Sequence, residues 1–312
     1  RARIDGTRFT SEGVVFDVTA SLGVVPVEPP RSATATLALA DAALHMAKDG
    51  GRNRCVTCRE DPAGRRAMDD LGRWAARVRD ALRKDHLRLL AQRIVSLRTG
   101  ETEHEEILVR LVDDSGALIA PGAFLPAAER FGLMTSLDRW VVTHAIALLS
   151  ASPGRRLFVN LSGTSLGDHA LLADIEALVA QSGLPPGALT FEITETAAIA
   201  DITGLQHWAR RLKELGCGFA LDDFGTGFSS FAYLQVLPVD LVKIDGSFVR
   251  DLDTNVTNRA LVAAMVAVAH ALGKTVVAEM VERAPVADIL RGLGVEYGQG
   301  WFWGRPEPAE RS

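Results

Sequence analysis

The sequence predicts an α/β chain whose main part is a closed (β/α)8 barrel of the TIM type, preceded by a smaller α/β piece and a linker helix. Three observations carry this. Past residue 85, short apolar runs alternate with stretches of helical period, the pattern of a parallel sheet flanked by helices. Residues 85–312 hold enough of these repeats for closure. No GxGxxG follows a strand to favour an open doubly wound sheet. The expected division is 1–60, an α/β remnant; 61–84, a linker helix; and 85–312, the barrel.

Taken in order, the chain opens on a polar stretch, then shows two alternating β-like runs, Val14 to Val18 and Ser21 to Val27. Pro29 and Pro30 break the pattern. A helix fits Thr36 to Lys48, with Leu37, Ala40, Leu44 and Ala47 at spacings of three and four, and Asp49-Gly50-Gly51 stops it. This piece is too small to hold a core alone, so it reads as cut from something larger. From Arg65 to Lys84, Met68, Leu71, Trp74, Ala75, Val78 and Leu82 recur at helical spacing; so short an apolar face predicts a packed connector, not a coiled coil. In the barrel, the clearest strands are Leu157–Asn160, Leu189–Glu192, Gly218–Asp222, Leu241–Ile244 and Thr275–Glu279. The helices between them include Leu137–Leu149, Leu171–Gln181, Leu205–Leu215 and Asn258–Leu272, with Gly183, Gly216 and Gly273 as stops.

Composition narrows the class. A hydrophobic share of 47% and a charged share of 23% are those of a soluble globular chain. The net charge of -5, without a long basic run, argues against a nucleic-acid polymer as partner. No apolar run approaches the roughly 20 residues of a membrane span, and no leader-like stretch is read at the start. Three cysteines point to a reducing compartment. Cys55 and Cys58 form a CxxC, but two further ligands at similar spacing are missing for zinc. The histidines show no i, i+4 pair.

Polar residues gather where the strands of such a barrel end, the face on which chemistry sits. Glu106 precedes Arg110 by four; Asn160 ends one run; Glu192 and Glu195 lie in FEITE; Asp222 and Asp223 head DDFGTGFSS. Lys243 and Asp245 lie in VKID, Glu279 and Glu282 in VVAEMVE, and Gln299 in GQGW. Adjacent carboxylates repel and resist burial without a cation between them. Oxygen ligands without His or Cys favour a hard ion, Mg2+ or Mn2+, over zinc. An aspartate pair can bridge two ions, an arrangement that suits phosphodiester hydrolysis. A Schiff-base lysine is the competing reading, but acids around Lys243 keep it charged and a poor nucleophile.

The motif strings carry a resemblance. AQRI from Ala91, EILVR from Glu106, PGAFLPAAERFGLM from Pro121, DRWVV from Asp138, VNLSG from Val159, FEITE from Phe191, DDFGTGFSS, VKID from Val242, AEMVE from Ala278 and QGWFWGRP from Gln299 occur in order. From about 85 to 307 the chain resembles the EAL domain, the cyclic di-GMP phosphodiesterase family. SLGVV and ADAALHMAKDGGRNR upstream resemble the C-terminal part of a GGDEF (diguanylate cyclase) domain, with His45 at the usual tyrosine. The signature loop of that family is absent from this sequence, so no cyclase activity is expected.

The resemblance implies a barrel in which one strand, usually the first, can run antiparallel to the rest, and hydrolysis of cyclic di-GMP to linear pGpG with Mg2+ or Mn2+ at a two-metal site. It implies Glu106, Asn160, Glu192 and Asp222 as ligands of one ion, with Asp222 and Asp223 holding the second. Lys243 holds the attacking water, Glu279 stands where a general base is assigned, and Glu195 anchors the DDFGTG loop. Gln92, Leu108, Arg110 and Gln299 are the expected substrate contacts; Asp245 and Glu282 support the ligands from behind. Three positions depart from the family pattern. Ile107 replaces the middle alanine of Glu-Ala-Leu, and alternation turns it away from the metal. Arg93 stands where many members have proline, and Met280 where many have glycine. No expected metal ligand is missing, which argues against the alternative, a catalytically silent cyclic di-GMP receptor or scaffold. A homodimer through the barrel is expected from the family. The expected location is cytoplasmic, either free or as the cytoplasmic part of a membrane-anchored sensor, with no membrane contact from this segment.

Overall fold

The computed structural model describes residues 62–226 and 232–310 throughout, together with 8–11, 14–17, 19–27, 54–57 and scattered positions of 33–47. The chain divides into two compact units, Arg1–Ala76 and Arg77–Ser312. In the first, β1 (Arg8–Ser11) pairs antiparallel with β2 (Val14–Asp17), and β3 (Leu22–Val24) pairs parallel with β4 (Cys55–Thr57). Positions 36, 37, 40, 41, 43, 44 and 47 are helical, as the spacing predicts, and Ala43 and Ala47 are fully buried. Gly23 lets this helix touch β3: a Cβ there would lie 2.2 Å from Ala40 O and 2.4 Å from Leu44 N. Val18, Asp49 to Gly51 and Cys58 lie outside the described residues. Cys55 is a free, exposed thiol. Helix α1 (Pro62–Lys84) spans the predicted linker, and the division between units falls inside it.

The second unit is an eight-stranded barrel. Its elements follow as β5 (Leu87–Ser96), β6 (Thr102–Val112), β7 (Leu118–Ile119), α2 (Leu125–Arg130), α3 (Met134–Ala151), β8 (Leu157–Asn160), α4 (Gly163–Leu166) and α5 (His169–Ser182). Then come β9 (Leu189–Thr194), α6 (Glu195–Ala200), α7 (Ile202–Glu214), β10 (Gly218–Phe224), α8 (Ala232–Val236), β11 (Leu241–Ile244), α9 (Gly246–Val249) and α10 (Val256–Ala271). β12 (Thr275–Ala278), α11 (Ala284–Gly292), β13 (Tyr297–Gln299) and β14 (Glu307–Pro308) complete it. The barrel order is β5-β13-β12-β11-β10-β9-β8-β6, closed by β5 on β6. β5 is antiparallel to both neighbours, and the other barrel pairings are parallel. Predicted helices hold to within a few residues. Side-chain caps from Asp168, Asp201 and Asn255 start α5, α7 and α10, and Gly183 ends α5 at φ 64°. Among the described residues no helix is long and apolar enough to cross a membrane.

Two apolar layers follow from strand alternation. The outward faces meet the helices in the large core, which includes Ile107, Val159, Phe191, Phe219 and Val242. Inside the barrel, Ile94, Phe158, Ala220 and Val277, with Leu241 and Tyr297, form a plug, and His104 packs edge-on against Phe158 and Tyr297. Ile107 therefore faces the helices, as expected. This plug is the floor of the mouth above it.

Candidate active site

Most polar residues of the mouth lie two positions from a residue of the floor. Phe158 is followed by Asn160, Ala220 by Asp222, Leu241 by Lys243, Val277 by Glu279 and Tyr297 by Gln299. His104 precedes Glu106, and on the reversed β5, Gln92 precedes Ile94. A period of two keeps all of these on the inner face, one layer higher. The register sets them side by side: Gln92 opposite Glu106, and Asn160 opposite Glu192.

Lys243 is the centre. It is 0% exposed, and its Nζ lies 2.7 Å from Glu279 Oε1, 2.8 Å from Glu192 Oε1, 3.3 Å from Asp222 Oδ1 and 3.5 Å from Glu106 Oε2. Glu106 also accepts from Asn160 Nδ2 at 2.7 Å and from Gln299 Nε2 at 2.6 Å. Gln299 Nε2 reaches Gln92 Oε1 at 3.3 Å.

These environments divide the charges. Burial alone would lower the Lys243 pKa, but Asp222, Glu106, Glu192 and Glu279 outweigh it and hold the ammonium well above its usual range. The amine stays protonated, which removes the Schiff-base reading. Burial pushes Glu106 up, yet Lys243 and the donated amides of Gln299 and Asn160 prevail and keep it ionised. Burial and then repulsion from Glu106 raise Glu192 well above the usual carboxylate range. Burial is also the main cause that pushes Glu279 up to about 7, against the pull of Lys243.

The adjacent acids require a local exception to alternation. In a regular strand Asp222 and Asp223 would face opposite sides. The register of β10 against β11 shifts between Leu221 and Phe224, and Asp223 adopts φ 56°. Asp is among the few residues that tolerate this conformation, and the bulge re-aims its carboxylate. Asp222, Asp223 and Glu279 then offer oxygens within 4.8 Å of one another. Burial, Asp222 and Asp245 raise the Asp223 pKa. Just beyond, Glu195, 2% exposed, accepts from Gly225 N at 3.0 Å.

The oxygens fit a divalent cation. Glu192 Oε1 and Asp222 Oδ1 are buried against the shared Lys243 ammonium, and Glu192 Oε2 is buried without a hydrogen bond. Among the described residues, the carboxylates of Glu106, Glu192, Asp222 and Glu279 share the ammonium of Lys243, and Asp223 adds a fifth beside Asp222. Buried like charges at this density call for a cation, and an all-oxygen set selects a hard one.

The remaining predicted residues sort by position. Leu108 and Arg110 continue the Glu106 face of β6, and Arg110 Nη1 donates to Val109 O at 2.8 Å. Glu106 was expected at a strand end. β6 instead runs on to Val112, because past Ile107 it pairs with β5 and with β7 and no longer with β8. Asp245 caps α9 by accepting from Ser247 N at 3.0 Å. Glu282 is exposed and borders a cavity of about 160 Å3 beside Glu279.

Two supports went unread in the sequence. Asp138 of α3, 5% exposed, accepts from Ser162 N at 2.9 Å and Ser165 Oγ at 2.6 Å, fixing the turn after Asn160. DRWVV marked its position without its role. Arg155 pairs with Glu105 at 2.7 Å and donates to Ala309 O at 2.8 Å, tying the C-terminal strap to the barrel. These partners are far apart in the chain, so no local pattern announces them.

The model of the EAL domain family matches residues 75–306. The chain is 36% identical over 247 residues to the cyclic di-GMP phosphodiesterase PdeF of Escherichia coli, covering 78% of this chain and 33% of that protein. It is 36% identical over 299 residues to the cyclic di-GMP phosphodiesterase PdeB of Shewanella oneidensis, covering 94% and 35%. It thus spans about a third of the length of these curated relatives. Among solved structures, the FimX EAL domain of Pseudomonas aeruginosa bound to c-di-GMP superposes with a TM-score of 0.70 at 35% identity, over 76% of this chain and 97% of that one. With the barrel, its reversed first strand and the acid-ringed lysine in place, the chain belongs to the EAL domain family.

Proposed function

We propose that this chain hydrolyses cyclic di-GMP: water adds across one phosphodiester linkage, the 3′ oxygen leaves with a proton, and linear pGpG is released. The observation that carries the reading is Lys243, fully buried and ringed by Glu106, Glu192, Asp222 and Glu279. Such a ring suits ions and a phosphate better than a covalent intermediate on the lysine. Similarity to two proteins named cyclic di-GMP phosphodiesterases supports the substrate.

Glu106, Asn160, Glu192 and Asp222 would hold one divalent ion, and Asp222 with Asp223 a second, Mg2+ or Mn2+. Such ions, when bound, supply charge neutralisation for the phosphate and acidify water. Asn160 gives its Nδ2 to Glu106, which leaves its carbonyl oxygen as the ligand atom. The permanently charged Lys243 donates to the attacking water and orients it. Glu279, poised by burial near neutrality, takes the proton from that water. Arg110 binds a phosphate oxygen, Leu108 packs under the substrate, and Gln92 and Gln299 orient it. Glu195 acts on Gly225, holding the DDFGTG loop so that Asp222 and Asp223 stay aimed. Asp245 and Glu282 support this set from its rim.

The test is turnover of cyclic di-GMP with Mg2+, Mn2+ or EDTA, beside Glu106→Ala. Metal-dependent pGpG that is lost in the variant is expected; turnover that survives either EDTA or the substitution refutes the assignment. We further read residues 1–60 as the end of a GGDEF domain; the parallel β3–β4 pair with the helix between them supports this. A cytoplasmic homodimer through the barrel completes the reading. Sedimentation of the full chain at micromolar concentration tests the dimer.

A further inference from the structure

The turn after Asn160 is held by a closed ring of hydrogen bonds around a buried acid outside the mouth. Asp138 of α3 gives one oxygen to it: Oδ2 accepts from Ser162 N at 2.9 Å and from Ser165 Oγ at 2.6 Å. Ser162 Oγ donates to Ser165 Oγ at 2.9 Å and accepts from Ser165 N at 3.3 Å. Asp138 is 5% exposed and Ser165 0%. Burial raises the Asp138 pKa, the bonds from Ser165 and Ser162 oppose it, and among the described residues no cation pairs with it. A carboxylate buried without a cation is costly, and starting a helix does not require one. α4 already has its cap in Ser162. The carboxylate therefore fixes where the turn sits, not whether the helix starts.

Position matters because Asn160 is read as a metal ligand. Its side chain is aimed by one bond, from Nδ2 to Glu106 Oε1 at 2.7 Å. Strand β8 is four residues long and ends on Asn160. Past that end the backbone is held by the next two residues: Leu161 N donates to Glu192 O at 2.9 Å, and Ser162 N to Asp138. The other side of the turn meets α6. A Cβ on Gly163 would lie 3.0 Å from Ala197 Cβ, and α6 begins with Glu195, which holds Gly225 N. The turn is thus seated between Asp138 and the helix that anchors the DDFGTG loop. The next residue of α3, Arg139, pairs with Asp174 of α5 and secures the chain just past the turn.

We propose that Asp138 is a positioning residue for the metal site: through Ser162 and Ser165 it holds the turn that keeps the Asn160 side chain in place as a ligand. The proposal rests on the reading of Asn160 as a ligand. Groups that orient metal ligands from behind typically set affinity by about 10- to 100-fold. The measure is Mn2+ alone, titrated by calorimetry into the metal-free full chain. Asp138→Ala is expected to weaken Mn2+ binding about tenfold. Asp138→Asn, whose amide carbonyl can accept the same two bonds, should stay close to the parent. Ser165→Ala breaks the ring but leaves Ser162 N its acceptor, and should fall between. Asn160→Ala should weaken Mn2+ at least as much as Asp138→Ala, and combining the two should cost little more, because both act through one ligand. A residue that serves folding alone lowers the melting temperature of the metal-free protein and leaves Mn2+ affinity unchanged. Parental affinity in a folded Asp138→Ala or in Ser165→Ala, or losses that add in the double variant, overturns the proposal and leaves the hydrolase reading intact. Unchanged affinity in Asn160→Ala overturns the ligand assignment and the proposal together. The expected Mn2+ pattern in a chain that turns over no cyclic di-GMP supports the proposal and refutes the hydrolase reading alone.

Discussion

Glu279 should make the metal-free protein respond to pH in an unusual direction. Its pKa is about 7 in the fold against an ordinary 4.5, with burial as the first cause. A carboxyl raised on folding binds its proton more tightly in the native state, so stability falls as pH rises from 4.5 to 7 and is regained on acidification. The linkage relation gives about 2 kcal/mol gained by the native state between about pH 8 and about pH 5.5 from this group alone. His104 opposes it. Burial depresses its pKa to about 4 from 6.5, so acidification through this range withdraws about 1.4 kcal/mol. The clean quantity is therefore the difference between the parent and Glu279→Gln, in which His104 cancels. Urea unfolding in EDTA at the two pH values should show the parent gaining about 2 kcal/mol on the variant at the lower pH. Added Mg2+ should stabilise the parent more at the higher pH, since the ion competes with the proton for the same oxygens. A flat or reversed difference refutes the claim that burial beside fixed carboxylates holds Glu279 near neutrality.

Other consequences are direct. Lys243→Met removes the one cation among Glu106, Glu192, Asp222 and Glu279 and should destabilise the metal-free protein by about 3–5 kcal/mol near pH 8; divalent ions should recover more stability in this variant than in the parent, as melting will show. Glu195→Ala loses the contact to Gly225 N and should make local opening of the loop easier by about 1–3 kcal/mol; turnover should drop, and limited proteolysis should find the loop more open. Unchanged turnover and metal dependence would remove its anchoring role. Arg155→Ala removes the pair with Glu105 and the bond to Ala309 O and should lower stability by about 1–3 kcal/mol. Its kcat below the melting range should stay near that of the parent, because the pair lies among the strap contacts; a lost kcat with intact stability contradicts that placement.

Much of the barrel is legible because period-2 and period-3.6 patterns are local. Leu157–Asn160 and Leu241–Ile244 are strands over the residues the apolar runs mark. The site is legible for the same reason: with Phe158, Ala220 or Val277 pointing inward, Asn160, Asp222 and Glu279 must point inward too. Alternation also turned Ile107 outward. The exceptions are those where a contact between distant segments prevails. β6 outran its expected end because β5 and β7 keep pairing it. Asp223 shares the mouth with Asp222 only through a bulge against β11.

By itself, then, the sequence determined the alternation, the inward layer of carboxylates and amides, and the family, since each depends on residues in order along the chain. Tertiary structure alone decided that Lys243 is sealed from water among four carboxylates, that Glu279 is near neutrality, and that Gly163 lies against Ala197 of α6. Those properties depend on burial and on distances of a few ångströms between segments tens to hundreds of residues apart, and Coulomb energy and steric overlap are steep functions of such distances.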